Sequence, residues 1–168
     1  MVQLAAFLRA VNVGGTGKMP MTELKAMCEG LGFVKVKTYI ASGNVVFETS
    51  LSAAKAKAAL EASVVRYLGK PVGLFMRDKA TLEAMIGSNP FAKAEGHRVM
   101  VILLDATPSK TTIDGARFKV DEEIAIGHQC LYVHYPSGMG KSKLKISGAE
   151  QGTARYMNTM RAMLEMLS

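Results

Sequence analysis

Residues 33–49, FVKVKTYIASGNVVFET, decide the fold. β-Branched and aromatic residues crowd both sides of Ser42-Gly43, which predicts a hairpin of Phe33–Ala41 with Asn44–Thr49. Upstream, Gln3–Val11 is apolar on both faces, as a central strand is. Pro20 then opens a helix with apolar positions Met21, Leu24, Met27, Cys28 and Leu31, closed by Gly30 and Gly32. Downstream, Ser52 caps a second helix with Ala56, Leu60, Val64 and Tyr67 on one side. Gly69 and Pro71 end it, and Val72–Arg77 is a fourth strand. The order β-α-β-β-α-β is the split βαβ arrangement of a ferredoxin-like α/β plait.

A second round follows. Asp78 can cap a short helix (Leu82, Met85, Ile86), and Gly87-Ser-Asn-Pro90 breaks the chain. His97–Asp105 reads as a strand, and Thr107-Pro108 opens a helix. Phe118–Ile126 and Gln129–Tyr135 form a hairpin across Gly127-His128. A loop rich in glycine and lysine comes next, then a terminal helix with Met157, Met160, Leu164 and Leu167 inside. The expected class is α+β, with two tandem ferredoxin-like units on antiparallel sheets. The second is incomplete or variant, because no last strand is evident. The expected boundaries are a plait unit over 1–78, a linker with a short helix over 79–95, and a second plait-like unit over 96–168.

Hydrophobic residues make up 49% of the 168, enough for a substantial core. No apolar run approaches a membrane span, and MVQLAAFLRAVNVGG, broken by Arg9, lacks the layout of a secretory signal. Two isolated cysteines, Cys28 and Cys130, make neither a disulfide framework nor a metal site, and they fit a reducing, cytoplasmic setting. The net charge of +7 favours phosphate-bearing partners, although solubility explains a dispersed excess equally well.

Strand parity places Phe7, Arg9, Tyr39, Val46 and Phe75 on the sheet face turned away from the helices. A two-residue Ser42-Gly43 turn pairs Ile40 with Val45, Thr38 with Phe47 and Lys37 with Glu48. An open face holding those rings is costly. It is covered by the second half of the chain or by a partner subunit in a homo-oligomer, or else it is a stacking platform for bases. Cover is the favoured reading.

Two loops carry possible anion chemistry. In Asn12-Val-Gly14-Gly15-Thr-Gly17-Lys18, backbone N–H groups and Lys18 suit an anion, but the spacing is not that of a Walker loop. A plain glycine turn is the commoner use of such a loop. Lys141, Lys143 and Lys145, alternating with Ser142, Leu144 and Ile146, form the densest basic cluster. The Gly127-His128 turn sets His134 opposite Asp121 as a surface pair. No zinc spacing, paired-carboxylate motif or nucleophile beside a His–Asp pair appears, so no metal or cofactor is expected and catalysis has no support. Methionines 157, 160, 163 and 166 are read as core.

LRAVNVGG (Leu8–Gly15), MPMTEL (Met19–Leu24), TYIASGNVVF (Thr38–Phe47), YPSGMGKSKL (Tyr135–Leu144) and TARYMNT (Thr153–Thr159) resemble the domain of unknown function 1697 family. The resemblance covers nearly the whole chain. It implies a bacterial cytosolic protein of two plait-like halves, with no established activity and no catalytic residues to transfer. The family pattern often reads asparagine-tryptophan after TAR, where this chain has Tyr156-Met157. The ligand-binding candidates are Arg9, Asn12, Gly14, Gly15, Lys18, Asn44, Ser142, Lys143, Arg155 and Asn158, with Ser42 and Thr153 also matching the motifs.

Three functions follow from these residues. First is a binding module for a phosphate-bearing ligand, nucleic acid or nucleotide. Second is a small-molecule-binding protein or enzyme with a site between the halves, lined by Arg9, Asn12, Asn44 and Arg155. Third is an interaction protein working through the apolar sheet face. The first ranks slightly ahead.

Overall fold

The computed structural model describes residues 1–12 and 18–167. The first four strands are β1 (Val2–Leu8), β2 (Val34–Thr38), β3 (Asn44–Thr49) and β4 (Leu74–Asp78). They form one antiparallel sheet in the order β2-β3-β1-β4. Helices α1 (Met21–Gly30) and α2 (Ala53–Leu68) lie between the strands in sequence. This is the ferredoxin-like order the periodicity predicts.

Each helix ends where its residues dictate. Pro20, fixed at φ −58°, precedes the first turn of α1, and its carbonyl accepts the Glu23 N–H at 3.0 Å. Ser52 caps α2 by accepting from Lys55 N, and Gly69 at φ +75° closes it in the left-handed region. Leu24 and Cys28 from α1, with Ala56, Leu60 and Val64 from α2, pack on Leu4, Ala6, Leu8, Val45 and Phe47. Burial pushes the Cys28 thiol up to about 12, so it is an inert core group. Tyr67, which the spacing puts on the same side, is exposed at the last turn of α2.

The first hairpin differs in register from the two-residue expectation. Thr38 pairs with Val45 and Lys37 with Val46, so the connection runs through residues 39–43. A slip of two residues preserves the faces of the paired residues, whereas Ile40, expected opposite Val45 on the helix side, lies in the connection and is exposed. A bulge between Val34 and Lys37, with Lys35 at φ 53°, then swings Lys35 rather than Lys37 onto Glu48, 3.0 Å away.

Phe7, Val46 and Phe75 are buried and Tyr39 is half-buried. The reading of this face as an open stacking platform therefore fails. No accessible Phe7 or Phe75 ring remains for a base.

Strands β5 (Val99–Leu103), β6 (Glu123–Gly127), β7 (Cys130–His134) and β8 (Thr153–Tyr156) form a second antiparallel sheet, ordered β6-β7-β5-β8. Its strand order repeats that of the first sheet. The last strand, missed in the sequence, is β8. Only four residues long, it runs directly into α5 (Met157–Met166). Asp78 accepts from Thr81 N at 2.8 Å and so begins α3 (Lys79–Gly87). The short α4 (Lys110–Asp114) starts after Ser109, two residues beyond the predicted Thr107-Pro108 opening. Met157, Met160 and Met163 are buried, in keeping with a core role.

By contact grouping one unit comprises Met1–Glu83 with Ala162–Ser168, and the other Ala84–Arg161. The second unit has no counterpart of α2. Residues 135–152 cover the sheet instead, with Ile146 buried on Met100, Leu131 and Val133, and Leu144 and Ala149 packed beside them. Arg117 and Lys145 exchange backbone hydrogen bonds of 2.8 and 2.9 Å, which hold this loop in place.

Candidate functional site

In the first unit, Arg9, Asn12, Lys18 and Asn44 gather at the end of the sheet where β1 stops. Leu8 N donates to Gly43 O and Arg9 N to Gly73 O, both at 2.8 Å, so three chain segments meet there. The Asn12 amide braces them. Its Oδ1 accepts from Met19 N at 2.7 Å, and its Nδ2 donates to Met19 O and Ala41 O at 2.7 and 2.8 Å. Asn44, fully buried, donates from Nδ2 to Tyr39 O and Ser42 Oγ at 2.9 Å. Ala10, Asn12, Ile40 and Gly43 all take positive φ here. Left-handed Ile40 is unfavourable for a β-branched residue and is held only by this lacing. Asn12 and Asn44 thus have their amides occupied by backbone and turn groups. Lys18 is exposed, and Gly14 and Gly15 lie outside the described residues.

The second unit carries a cleft of about 510 Å³ between residues 118–122 and 137–143. Exposed Lys119, Lys141 and Lys143 line it together with Phe118, Val120, Ser137 and Ser142. Buried Glu122 ties its walls together. One carboxylate oxygen accepts from Val120 N and Asp121 N at 2.8 and 3.0 Å, and the other accepts from Ser142 Oγ at 2.5 Å. The Ser142 hydroxyl, and then the Val120 N–H, hold this carboxyl down to about 2. Asp121 is likewise engaged, accepting from Ser137 Oγ at 2.5 Å. Both acids at the cleft are therefore occupied within the protein, while the lysines face solvent.

The Glu122 brace has a testable pH signature. Its folded pKa lies below the ordinary 4.5, so its stabilisation is complete above 4.5 and is lost as pH falls toward about 2. Glu122→Gln is expected to be less stable than the native chain at pH 7, with the difference closing below pH 4. Denaturant melts at a series of pH values check this. A gap that persists unchanged at pH 2.5 contradicts the brace.

Segment 118–122 is the part of this site that the sequence reading missed. Phe and Val favour strands, so Phe118–Ile126 read as one strand, but pairing begins only at Glu123. Phe118 takes φ 63° and stays exposed. The hairpin also turns at His128-Gln129 rather than Gly127-His128, with Gln129 at φ 54°. That shift places His134 opposite Glu123, not Asp121, with Nδ1 3.1 Å from Oε1.

The remaining candidates lie elsewhere in this unit. Arg155, on β8, is buried; its Nη1 donates to Thr153 Oγ1 at 2.7 Å and Ala154 O at 3.0 Å, and burial brings its pKa down to about 10. Asn158 is exposed in the first turn of α5, its side chain set against Gly96. Lys145 lines a separate cavity with Arg117, Tyr135 and Glu150. Among the described residues no group of three His, Cys, Asp or Glu is placed to hold a metal ion, and no helix is long and apolar enough to cross a membrane.

The molecule is thus an α+β protein of two ferredoxin-like units in tandem. It belongs to the family described as Protein of unknown function (DUF1697), whose model matches residues 1–132. The fold is similar to the solved structure of the conserved bacterial protein SP0830 from Streptococcus pneumoniae. That likeness has a TM-score of 0.80 and 22% identity over 99% of each chain. No curated protein matches the chain.

Proposed function

We propose that the chain is a binding module for a phosphate-bearing ligand, nucleic acid or nucleotide, seated in the cleft of the second unit. The observation that supports this most is the convergence of Lys119, Lys141 and Lys143 on one cleft whose two acids, Asp121 and Glu122, already have hydroxyl donors. A volume of about 510 Å³ lies within the usual range of small-ligand sites. Ammonium groups on flexible stems suit an ionised phosphate.

Isothermal titration of the full chain with pyrophosphate, repeated at rising salt, tests the reading. Binding should weaken with salt, and Lys141→Gln/Lys143→Gln should weaken it about tenfold, taking roughly 0.7 kcal/mol per exposed charge contact. An absence of binding overturns the proposal, as does an unchanged affinity in the double variant.

A further inference from the structure

We infer that the occupant of this cleft is a mononucleotide, its base lying against Phe118 while the lysines take its phosphates. The inference rests on the phosphate-binding reading above and adds the class of ligand. Its starting point is an apolar surface beside the charges. Phe118 is 60% exposed and Val120 is 88% exposed, and both line the same cleft as Lys119, Lys141 and Lys143. A purely inorganic anion makes no use of an aromatic ring. A ligand with a planar ring at one end and phosphate at the other uses both.

The backbone sets Phe118 apart from the strand. Its left-handed φ of 63° takes it out of the strand that its neighbours Glu123–Gly127 join, and it sits apart from the hydrophobic core of this unit. The Arg117 guanidinium carbon lies 5.8 Å from the ring centroid, over one face. The Arg117 main chain is held by its two backbone hydrogen bonds with Lys145. An exposed ring that borders a charged cleft suits the stacking of a base.

The single ring favours a monomeric ligand over a strand. Binding of single-stranded nucleic acid uses a basic groove with successive aromatic platforms. Here the cleft, of about 510 Å³, has one aromatic residue in its lining.

Equilibrium dialysis of the full chain against ATP, UTP, tripolyphosphate and an eight-nucleotide RNA tests this. At least one nucleotide should bind tenfold or more tightly than tripolyphosphate, which carries the same phosphates without a base. Phe118→Ala should remove that advantage and leave tripolyphosphate binding unchanged, and Phe118→Tyr should retain it. Equal binding of nucleotides and tripolyphosphate overturns the inference while leaving the phosphate reading standing. Binding of none of the four ends both. An RNA that binds far more tightly than either nucleotide overturns the mononucleotide, and so does a Phe118→Ala chain that loses tripolyphosphate as well.

Discussion

Gly43→Ala is expected to destabilise the protein by about 3 kcal/mol or more, summing left-handed strain and overpacking. Gly43 sits at φ +91°, where an L side chain is strained. A Cβ added there would lie 2.7 Å from Val11 Cγ2 and 2.9 Å from Leu8 Cβ. Both neighbours are fully buried and cannot swing aside. Relief therefore requires the turn to lift off the end of β1, breaking the 2.8 Å bond from Leu8 N to Gly43 O. Asn44, Ser42 and Tyr39 share that turn, so the lacing described above loosens together. Urea unfolding of the full chain measures it. A loss below about 1 kcal/mol means the turn adapts and is not the rigid corner inferred here.

Phe47→Ala should cost about 3–5 kcal/mol, the usual range for emptying a large aromatic site in a core. Phe47 is buried in the cluster between the first sheet and its two helices. Its ring stacks on Phe33, with centroids 4.3 Å apart and planes within 8°. The pair joins the residue just before β2 to the interior strand β3, so deletion removes both apolar burial and a ring–ring contact. Tyr67→Ala is the matched control. That ring is 45% exposed despite its helical spacing, and its loss should stay within about 0.5 kcal/mol. Comparable losses for the two variants would mean that the assignment of the inner face of α2 is wrong.

The first unit was legible because its signals agree. Pro20, Ser52 and Gly69 mark helix ends by local physics, and strand parity puts Val45 and Phe47 together on the helix-facing side of β3. What misled was turn length. Ser42-Gly43 suggests a two-residue turn, but Asn44 satisfies Tyr39 O with its side chain, which closes a longer connection. Parity survived this because the slip was even. The bulge at Lys35 added an odd residue and so changed which lysine meets Glu48.

In the second unit local signals compete with long-range ones. TARY carries a strand signal too short to detect beside the helix that follows, and β8 exists because β5 offers it an edge. Phe118 and Val120 have strand-forming side chains but no partner strand, so propensity alone placed them wrongly. The lysine cluster was visible as composition. That Lys119 joins Lys141 and Lys143, and that Lys145 lines another cavity, depends on the Glu122–Ser142 brace, which links residues twenty positions apart.

Backbone amide chemical-shift mapping of the full chain during titration with pyrophosphate tests the location of binding most directly. Shifts centred on residues 118–122 and 137–143, saturating together, are the predicted result. Shifts confined to residues 8–20 and 39–44, or none anywhere, contradict it.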